Sequence, residues 1–396
     1  MLKKFFEDLT LTTFASGAIA CLVGYLSSGA LVFQLATKLG LNSIEASQMI
    51  GVLCFAMGVI TISLSLRYKI PVMYAWSTPG VVVLLSGLQG QGIERAIGIF
   101  VVAALISIAV GASGQFDRVM KWIPSEVSSA LIAGILLKFC LGAFSAVNTM
   151  PLVIGVMILA YLFMRRIYAF MAVPVSLFFG VTVLALTKGI AVENIDLAIH
   201  APTVWWPQFY LSDILGLAIP MSLVTMTSQN VTGYAVVRSN GYNISGSKLV
   251  TWAGITHLFV APLGGFCLNL ASLTAAIIAG PESHPDKNKR YTGAVVSGGI
   301  YILMGLFASA FAGLMGVIPP AMVVAIGGLA LISVVGVNLE NSFRNDLWKE
   351  SALFTFLVAA SEFSFLGMGS AFWSLCVGLL VFNIRKIVDK MKPVNA

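Results

Sequence analysis

The sequence predicts an all-α membrane protein of fourteen transmembrane segments. It reads as a seven-plus-seven inverted repeat in which segments three and ten are short strand-plus-half-helix pieces. Three observations carry that expectation. Charged residues make up 10% and hydrophobic residues 58% of the 396 residues, with a mean hydropathy of +0.95, against roughly 25% charged in a soluble domain. Apolar stretches follow one another with gaps of only a few residues, most of them near the ~20 residues that cross a bilayer as helix. Basic residues collect in alternate gaps, as they do in cytoplasmic loops.

The segments are 12–37, 44–66, 70–88, 92–115, 124–146, 150–165, 168–188, 212–238, 246–261, 264–280, 290–314, 319–338, 347–366 and 368–387. The stretch Met1–Thr10 carries Lys3, Lys4, Glu7 and Asp8, and no small-residue cleavage site follows the first apolar run, so that run is expected to stay as a span. With both termini in the cytoplasm and every segment crossing, 19 of the 23 Lys and Arg residues fall at inside ends. Only Lys38, Arg95 and Lys188 fall outside, and Lys138 lies within segment five. A twelve-span alternative, with segments three and ten as loops, gives a similar split. The net charge of +7 is therefore cytoplasmic-loop charge rather than a nucleic-acid surface. Cys21, Cys54, Cys140, Cys267 and Cys376 each sit in an apolar stretch with no metal-ligand spacing, and read as small buried hydrophobes.

The longest internal polar stretch, Val192–Asp213, carries Trp205, Trp206 and Tyr210 and is expected at the outer headgroup level. It divides the chain into a first repeat, 1–190, a periplasmic linker, 191–211, and a second repeat, 212–396. Seven is odd, so the second half enters the membrane from the opposite side, which makes the repeat inverted. Segments 1–4 and 8–11 are expected to form a core domain, and segments 5–7 and 12–14 a gate domain.

Segments three and ten are broken at matching places. Residues 70–75 are β-prone and bounded by Pro71; Ser77 or Thr78 then caps a half-helix that begins at Pro79. In segment ten, Pro262-Leu263-Gly264-Gly265 interrupts the chain, residues 266–270 are extended, and Ser272 caps a helix from Leu273 to Ala279. Extended backbone at membrane depth is tolerated only when buried in protein or lining a cavity. Half-helix starts carry free N–H groups and partial positive charge, so a pair of them makes an anion site without a cationic side chain. Discontinuous segments at matching positions point to a transport site.

The polar residues at depth extend that site. Gln229 and Asn230 in segment eight are costly in lipid and should face the interior, as substrate contacts or as helix–helix hydrogen bonds. Ser28 on segment one and Asn269 and Ser272 in segment ten join Ser77 and Thr78 as candidate binding residues, with Tyr25 and Trp76 as aromatic walls. Lys138 is either a coupling residue or a snorkelling one, and His257 either a titrating group or a structural hydrogen-bond partner. No Asp or Glu lies in the middle of a segment, and Glu362 falls near the outer end of segment thirteen. A carrier without such a carboxylate suits a substrate that brings its own negative charge. No nucleotide-binding loop, metal cluster or nucleophile–base set is visible. An enzyme, an ATP-driven pump, a bound cofactor and a resident metal are not expected.

Five motifs carry a resemblance: Gly24-Tyr25-Leu26-Ser27-Ser28-Gly29, Ala75-Trp76-Ser77-Thr78-Pro79-Gly80, Met226-Thr227-Ser228-Gln229-Asn230, Pro281-Glu282-Ser283-His284-Pro285-Asp286-Lys287 and Gly369-Ser370-Ala371-Phe372-Trp373. Together they make the chain resemble the BenE family of benzoate transporters over nearly its full length. That family is similar to the nucleobase and sulfate permeases, whose fold is a seven-plus-seven inverted repeat with core and gate domains. The resemblance implies a secondary carrier of benzoate or a similar aromatic carboxylate. Proton symport and an elevator or rocking motion in a bacterial inner membrane complete that expectation, with a homodimer left open. In the nucleobase carriers, acids on segments eight and ten hold the base; Gln229 and Leu273 stand there in this chain, which argues against a nucleobase. Another small organic or inorganic anion, a nucleobase-like compound and a channel-like anion pathway are the alternatives.

Overall fold

Caps written in the sequence fix where the long helices begin. In a computed structural model of the chain, α1 (Leu2–Asp8) leads into α2 (Leu11–Lys38), which Thr10 caps through a reciprocal box with Thr13. Helix α3 (Ser43–Tyr68) starts at Asn42, whose Oδ1 accepts from the N–H groups of Ile44 and Glu45 at 3.0 and 2.9 Å while Glu45 reaches back to the Asn42 N–H. The structure describes residues 2–88, 90–116, 124–168, 171–188, 198–281, 283–310, 318–361, 363, 365 and 370–391. Residues 191–197 of the expected linker, Glu362, the motif residues Glu282 and Gly369, and the basic residues Arg118, Lys121 and Lys392 lie outside them.

The chain continues as β1 (Tyr74–Trp76), α4 (Thr78–Gly87), α5 (Ile93–Ala112), α6 (Ser125–Ser145), α7 (Pro151–Ile167) and α8 (Ala172–Lys188). Helix α9 (residues 211–239) contains two π-turns, Ile214–Ala218 and Met226–Asn230. Then come α10 (Gly246–Val260), β2 (Leu268–Leu270), α11 (Leu273–Ala279), α12 (Tyr291–Leu306), α13 (Pro320–Ser342), α14 (Lys349–Ala360) and α15 (Ser370–Met391). Among the described residues, six helices are long and apolar enough to cross a membrane: Leu11–Lys38, Ser43–Tyr68, Ile93–Ala112, Ser125–Asn148, Leu211–Arg238 and Pro320–Ser342.

Small residues let these helices approach closely. Helices α3 and α12 cross at two glycine pairs seven residues apart, Gly51 with Gly305 and Gly58 with Gly298. A Cβ at Gly58 would sit 2.5 Å from the Gly298 carbonyl oxygen, and one at Gly51 2.9 Å from that of Gly305. Lipid tails give apolar helices no reason to associate, so such contact-enabling residues do that work. The largest apolar cluster gathers α2, α3, α4 and α5 around Leu31, Leu53 and Val82. A second joins α6, α7, α8 and α13 around Ile154, Met157 and Met322.

The two broken segments meet directly. Strands β1 and β2 pair antiparallel, with Tyr74 opposite Leu270, Ala75 opposite Asn269 and Trp76 opposite Leu268. Bonds from Ser77 N–H to Cys267 O and from Ala271 N–H to Met73 O, both 2.9 Å, extend the ladder at each end. Extended backbone here is thus satisfied and buried, as the membrane interior demands.

The described part of the linker lies on the starts of α3 and α5 and the turn after α10. Gln48 Nε2 donates to Ala201 O at 2.7 Å, Trp205 N–H to Pro262 O at 2.8 Å and Gln208 N–H to Glu94 O at 2.9 Å. Arg95 grips Asp213 with two bonds of 2.7 and 2.6 Å and lies 4.2 Å over the Tyr210 ring. The adjacent tryptophans separate: Trp206 is 81% exposed, but Trp205 is buried, packed against Gly264. Trp205, its backbone stitched to Pro262, therefore packs inside the protein, and Trp206 is the tryptophan of the pair that faces outward.

Candidate transport site

A cavity of about 1180 Å³ opens between α9 and the start of α11 on one wall and α6 and α13 on the other. Closed small-molecule pockets run roughly 300–1,000 Å³, so this is a vestibule. The first wall carries Thr227, Ser228, Gln229, Thr232, Ser272 and Leu273. The facing wall carries Ser125, Ser128 and Ser129 of α6, and Ser333, Asn338 and Asn341 of α13, with Arg344 just beyond it. Glu126 and Asp346 also line it, near the start of α6 and past the end of α13. The Lys349 ammonium hydrogen-bonds Asp346 and holds its carboxyl below the usual carboxylate range.

Hydroxyl geometry decides which groups can donate to a ligand. Thr227, Ser228 and Thr232 donate to the carbonyls of Leu223, Val224 and Ser228, one turn back along their own helix. Their lone pairs, not their protons, are left for the cavity. Among the described residues, the side chains of Gln229, Ser272, Ser129 and Ser333 have no protein hydrogen-bond partner. They are available donors, and so are Asn341 and the Arg344 guanidinium on and just beyond the facing wall, which likewise have no protein partner among the described residues.

The π-turn Met226–Asn230 separates two adjacent amides. Gln229 lines the cavity, whereas Asn230 is buried and its Oδ1 accepts the Leu270 N–H at 2.9 Å. An extra residue in one turn re-aims side chains this way, and such bulges recur at functional sites.

Ser77 is the N-cap of α4, its Oγ accepting from Gly80 N–H at 3.0 Å, so Thr78 is the first helical residue and Pro79 the second. The expected helix start at Pro79 is corrected by one residue. Ser77 Oγ also meets Thr225 Oγ1 at 2.7 Å. Ser272 stands at the N-cap position of α11, but its backbone is already helical (φ −93°, ψ −53°) and its hydroxyl makes no capping bond. That expected cap is corrected: the hydroxyl of a residue already in the helix does not reach the first-turn N–H groups.

The other candidates lie off the cavity. Trp76 Nε1 donates to Ser28 Oγ at 2.7 Å, and the Tyr25 ring meets the indole edge-on at 5.9 Å; all three are buried. Asn269 is fully buried, with Nδ2 3.4 Å from Cys267 O and an Oδ1 that has no partner. His257 Nε2 accepts the Cys267 N–H at 2.8 Å. Lys138, half-buried on α6, lies 5.3 Å over the Phe139 ring. The cavity therefore brings together Gln229 and Ser272, but neither the Tyr25–Trp76 pair nor the start of α4. The half-helices leave the ladder from opposite ends. Four ladder steps of about 3.3 Å put Ser77 and Ala271 roughly 13 Å apart.

The sequence reading missed the α6–α13 wall. Its signal was present: Asn338, Asn341 and Arg344 recur every third residue, a polar stripe on an otherwise apolar segment.

Comparison with known proteins shows the family. The sequence pattern of the BenE family, described as "Benzoate membrane transport protein", matches residues 7–384. The chain belongs to the BenE family. It is thus a membrane transport protein and not an enzyme. Relatives include "Inner membrane protein YdcO" of Escherichia coli (strain K12), 36% identical over 95% of this chain and 96% of that protein. Another is "Benzoate membrane transport protein" of Acinetobacter baylyi, 33% identical over 97% of this chain and 98% of that protein. Among solved structures, this BenE chain shares the fold of the transmembrane domain of the cyanobacterial bicarbonate transporter BicA. The TM-score is 0.56 at 15% identity, covering 95% of this chain and 97% of that one. Murine Slc26a9, an anion transporter solved in the inward-facing state, gives 0.59 at 11% identity, covering 97% of this chain and 69% of that one.

Proposed function

We propose that this BenE protein carries benzoate or a similar aromatic carboxylate across the bacterial inner membrane by proton symport, with the cavity as its cytoplasmic vestibule. The observation that carries the reading is the cavity's chemistry. Its inner wall offers the neutral donors Gln229 and Ser272, and its only carboxylates among the described residues, Glu126 and Asp346, lie near its helix ends. Neutral donors without a nearby carboxylate suit an anion and repel none. Family membership and the relative named for benzoate support the substrate class.

The topology belongs to the same proposal. Fourteen segments in two inverted halves accord with the antiparallel pairing of β1 and β2, one from each half. With the basic residues inside, the start of α6, the end of α9 and the end of α13 are cytoplasmic, so the vestibule is inward-open. Core and gate domains correspond to its two walls, and their relative motion would expose the Gln229 side to the outside.

A small inorganic anion is the second reading. It is favoured by one observation: Tyr161 is the only aromatic residue lining the cavity among the described residues. The deciding experiment is uptake of labelled benzoate into proteoliposomes under an imposed pH gradient, with bicarbonate, sulfate and uracil as competitors. Accumulation that benzoate alone competes supports the proposal. Competition by bicarbonate with no benzoate uptake hands the site to the second reading.

A further inference from the structure

Cys267 stands where the chain turns from Gly264-Gly265 into β2, and its φ of +34° is in the left-handed region that side chains disfavour. Such a conformation persists only where surroundings over-determine it. Three contacts do so. Its N–H donates to His257 Nε2 at 2.8 Å, its carbonyl accepts the Ser77 N–H at 2.9 Å, and its Sγ lies 3.2 Å from Thr225 Oγ1. Through Ser77, itself bonded to Thr225 and to the Gly80 N–H, the network reaches the first turn of α4. One residue thus links both broken segments, α9 and α10.

The imidazole is the one side chain in this network that commonly titrates near neutral pH; Ser77 and Thr225 do not. A backbone N–H can only donate, so the ring atom facing Cys267 must present a lone pair. His257 is 1% exposed. It therefore stands neutral, with its proton on Nδ1. A second proton on Nε2 would set two donors face to face and release the strand.

We infer that His257 is a positioning residue, a neutral acceptor that fixes Cys267 and, through it, the crossing of the two broken segments, rather than the carrier of the coupling proton. Transport depends on it through the shape of the site. For its activity measurements, the inference rests on the carboxylate reading above.

The test compares His257→Gln with His257→Leu. A Gln side-chain oxygen extends about as far from the backbone as Nε2 and accepts without titrating; Leu does neither. In proteoliposomes, labelled benzoate uptake is measured under a pH gradient and as counterflow without one. On the same preparations, N-ethylmaleimide labelling of Cys267 is read by peptide mass spectrometry. His257→Gln is expected to keep both transport modes within about three-fold. His257→Leu is expected to lose about ten-fold in both and to expose Cys267 to labelling about ten-fold faster. A Gln variant that loses pH-driven uptake but keeps counterflow makes His257 the proton carrier and overturns the inference. So does a Leu variant with wild-type transport and labelling. Should His257→Leu fail to fold, the Gln variant decides alone. Should the wild type move no benzoate, the carboxylate reading falls while the labelling ratio still judges the brace.

Discussion

Asn230 Oδ1 holds the N–H of Leu270 at 2.9 Å, and the residue beside it, Gln229, faces the cavity. The π-turn gives two neighbouring amides different tasks. Asn230 ties α9 to β2, and Gln229 is left facing the cavity. Replacing each should have separable consequences.

Asn230→Leu leaves the buried Leu270 N–H without an acceptor, a loss of about 1–3 kcal/mol. Gln229→Ala removes no protein hydrogen bond, and a change within about 0.5 kcal/mol is expected. Unfolding midpoints in detergent read both. Equal losses would mean that the π-turn does not divide the roles.

Gln229→Glu should convert an anion-accepting wall into a repelling one. Two like charges 4 Å apart interact by about 4 kcal/mol at the effective dielectric of a protein surface. The KM for benzoate at neutral pH should therefore rise by about ten-fold or more. The sign with pH follows: a glutamate ordinarily protonates near pH 4.3, and desolvation or a bound anion raises that value. Affinity of the variant should approach that of the wild type as pH falls through the raised value. An unchanged KM at pH 7 removes Gln229 from the site.

Sequence alone disclosed much of this architecture because its causes are local. Pro71, Ser77-Thr78-Pro79 and Gly264-Gly265 break helices wherever they stand, and both strands lie at the expected breaks. Tertiary arrangement was less legible. Nothing local tells that Asn230 and Gln229 diverge, since a π-turn is a response to packing. Nor does the sequence show that Ser77 turns toward Thr225 while Ser272 stays in the cavity. The α13 stripe, Asn338, Asn341 and Arg344, was readable from its spacing.

The cavity's sidedness is directly testable. In a Cys376→Ser background, Asn341→Cys should react with a membrane-impermeant thiol reagent in inside-out vesicles and be spared in right-side-out cells. Benzoate at saturating concentration should slow the reaction. Labelling only from outside would invert the proposed topology.

The last prediction concerns charge movement. Benzoate is an anion at neutral pH, and moving one charge inward against an inside-negative potential costs about 2.3 kcal/mol per 100 mV. No carboxylate among the described residues lines the inner part of the cavity, and the His257 lone pair is engaged by Cys267. In the proposed symport the coupling proton would then travel on the substrate carboxylate itself or by way of Lys138 on α6. Either route makes the cycle electroneutral. Lys138→Ala distinguishes them: pH-driven uptake near wild type leaves the proton on the substrate, whereas its loss with counterflow intact assigns the proton to Lys138. On a solid-supported membrane, a benzoate jump should produce little current in either protein. A sustained current near one charge per benzoate delivered would rule out electroneutral symport, and membrane potential would then have to be the brake on uptake.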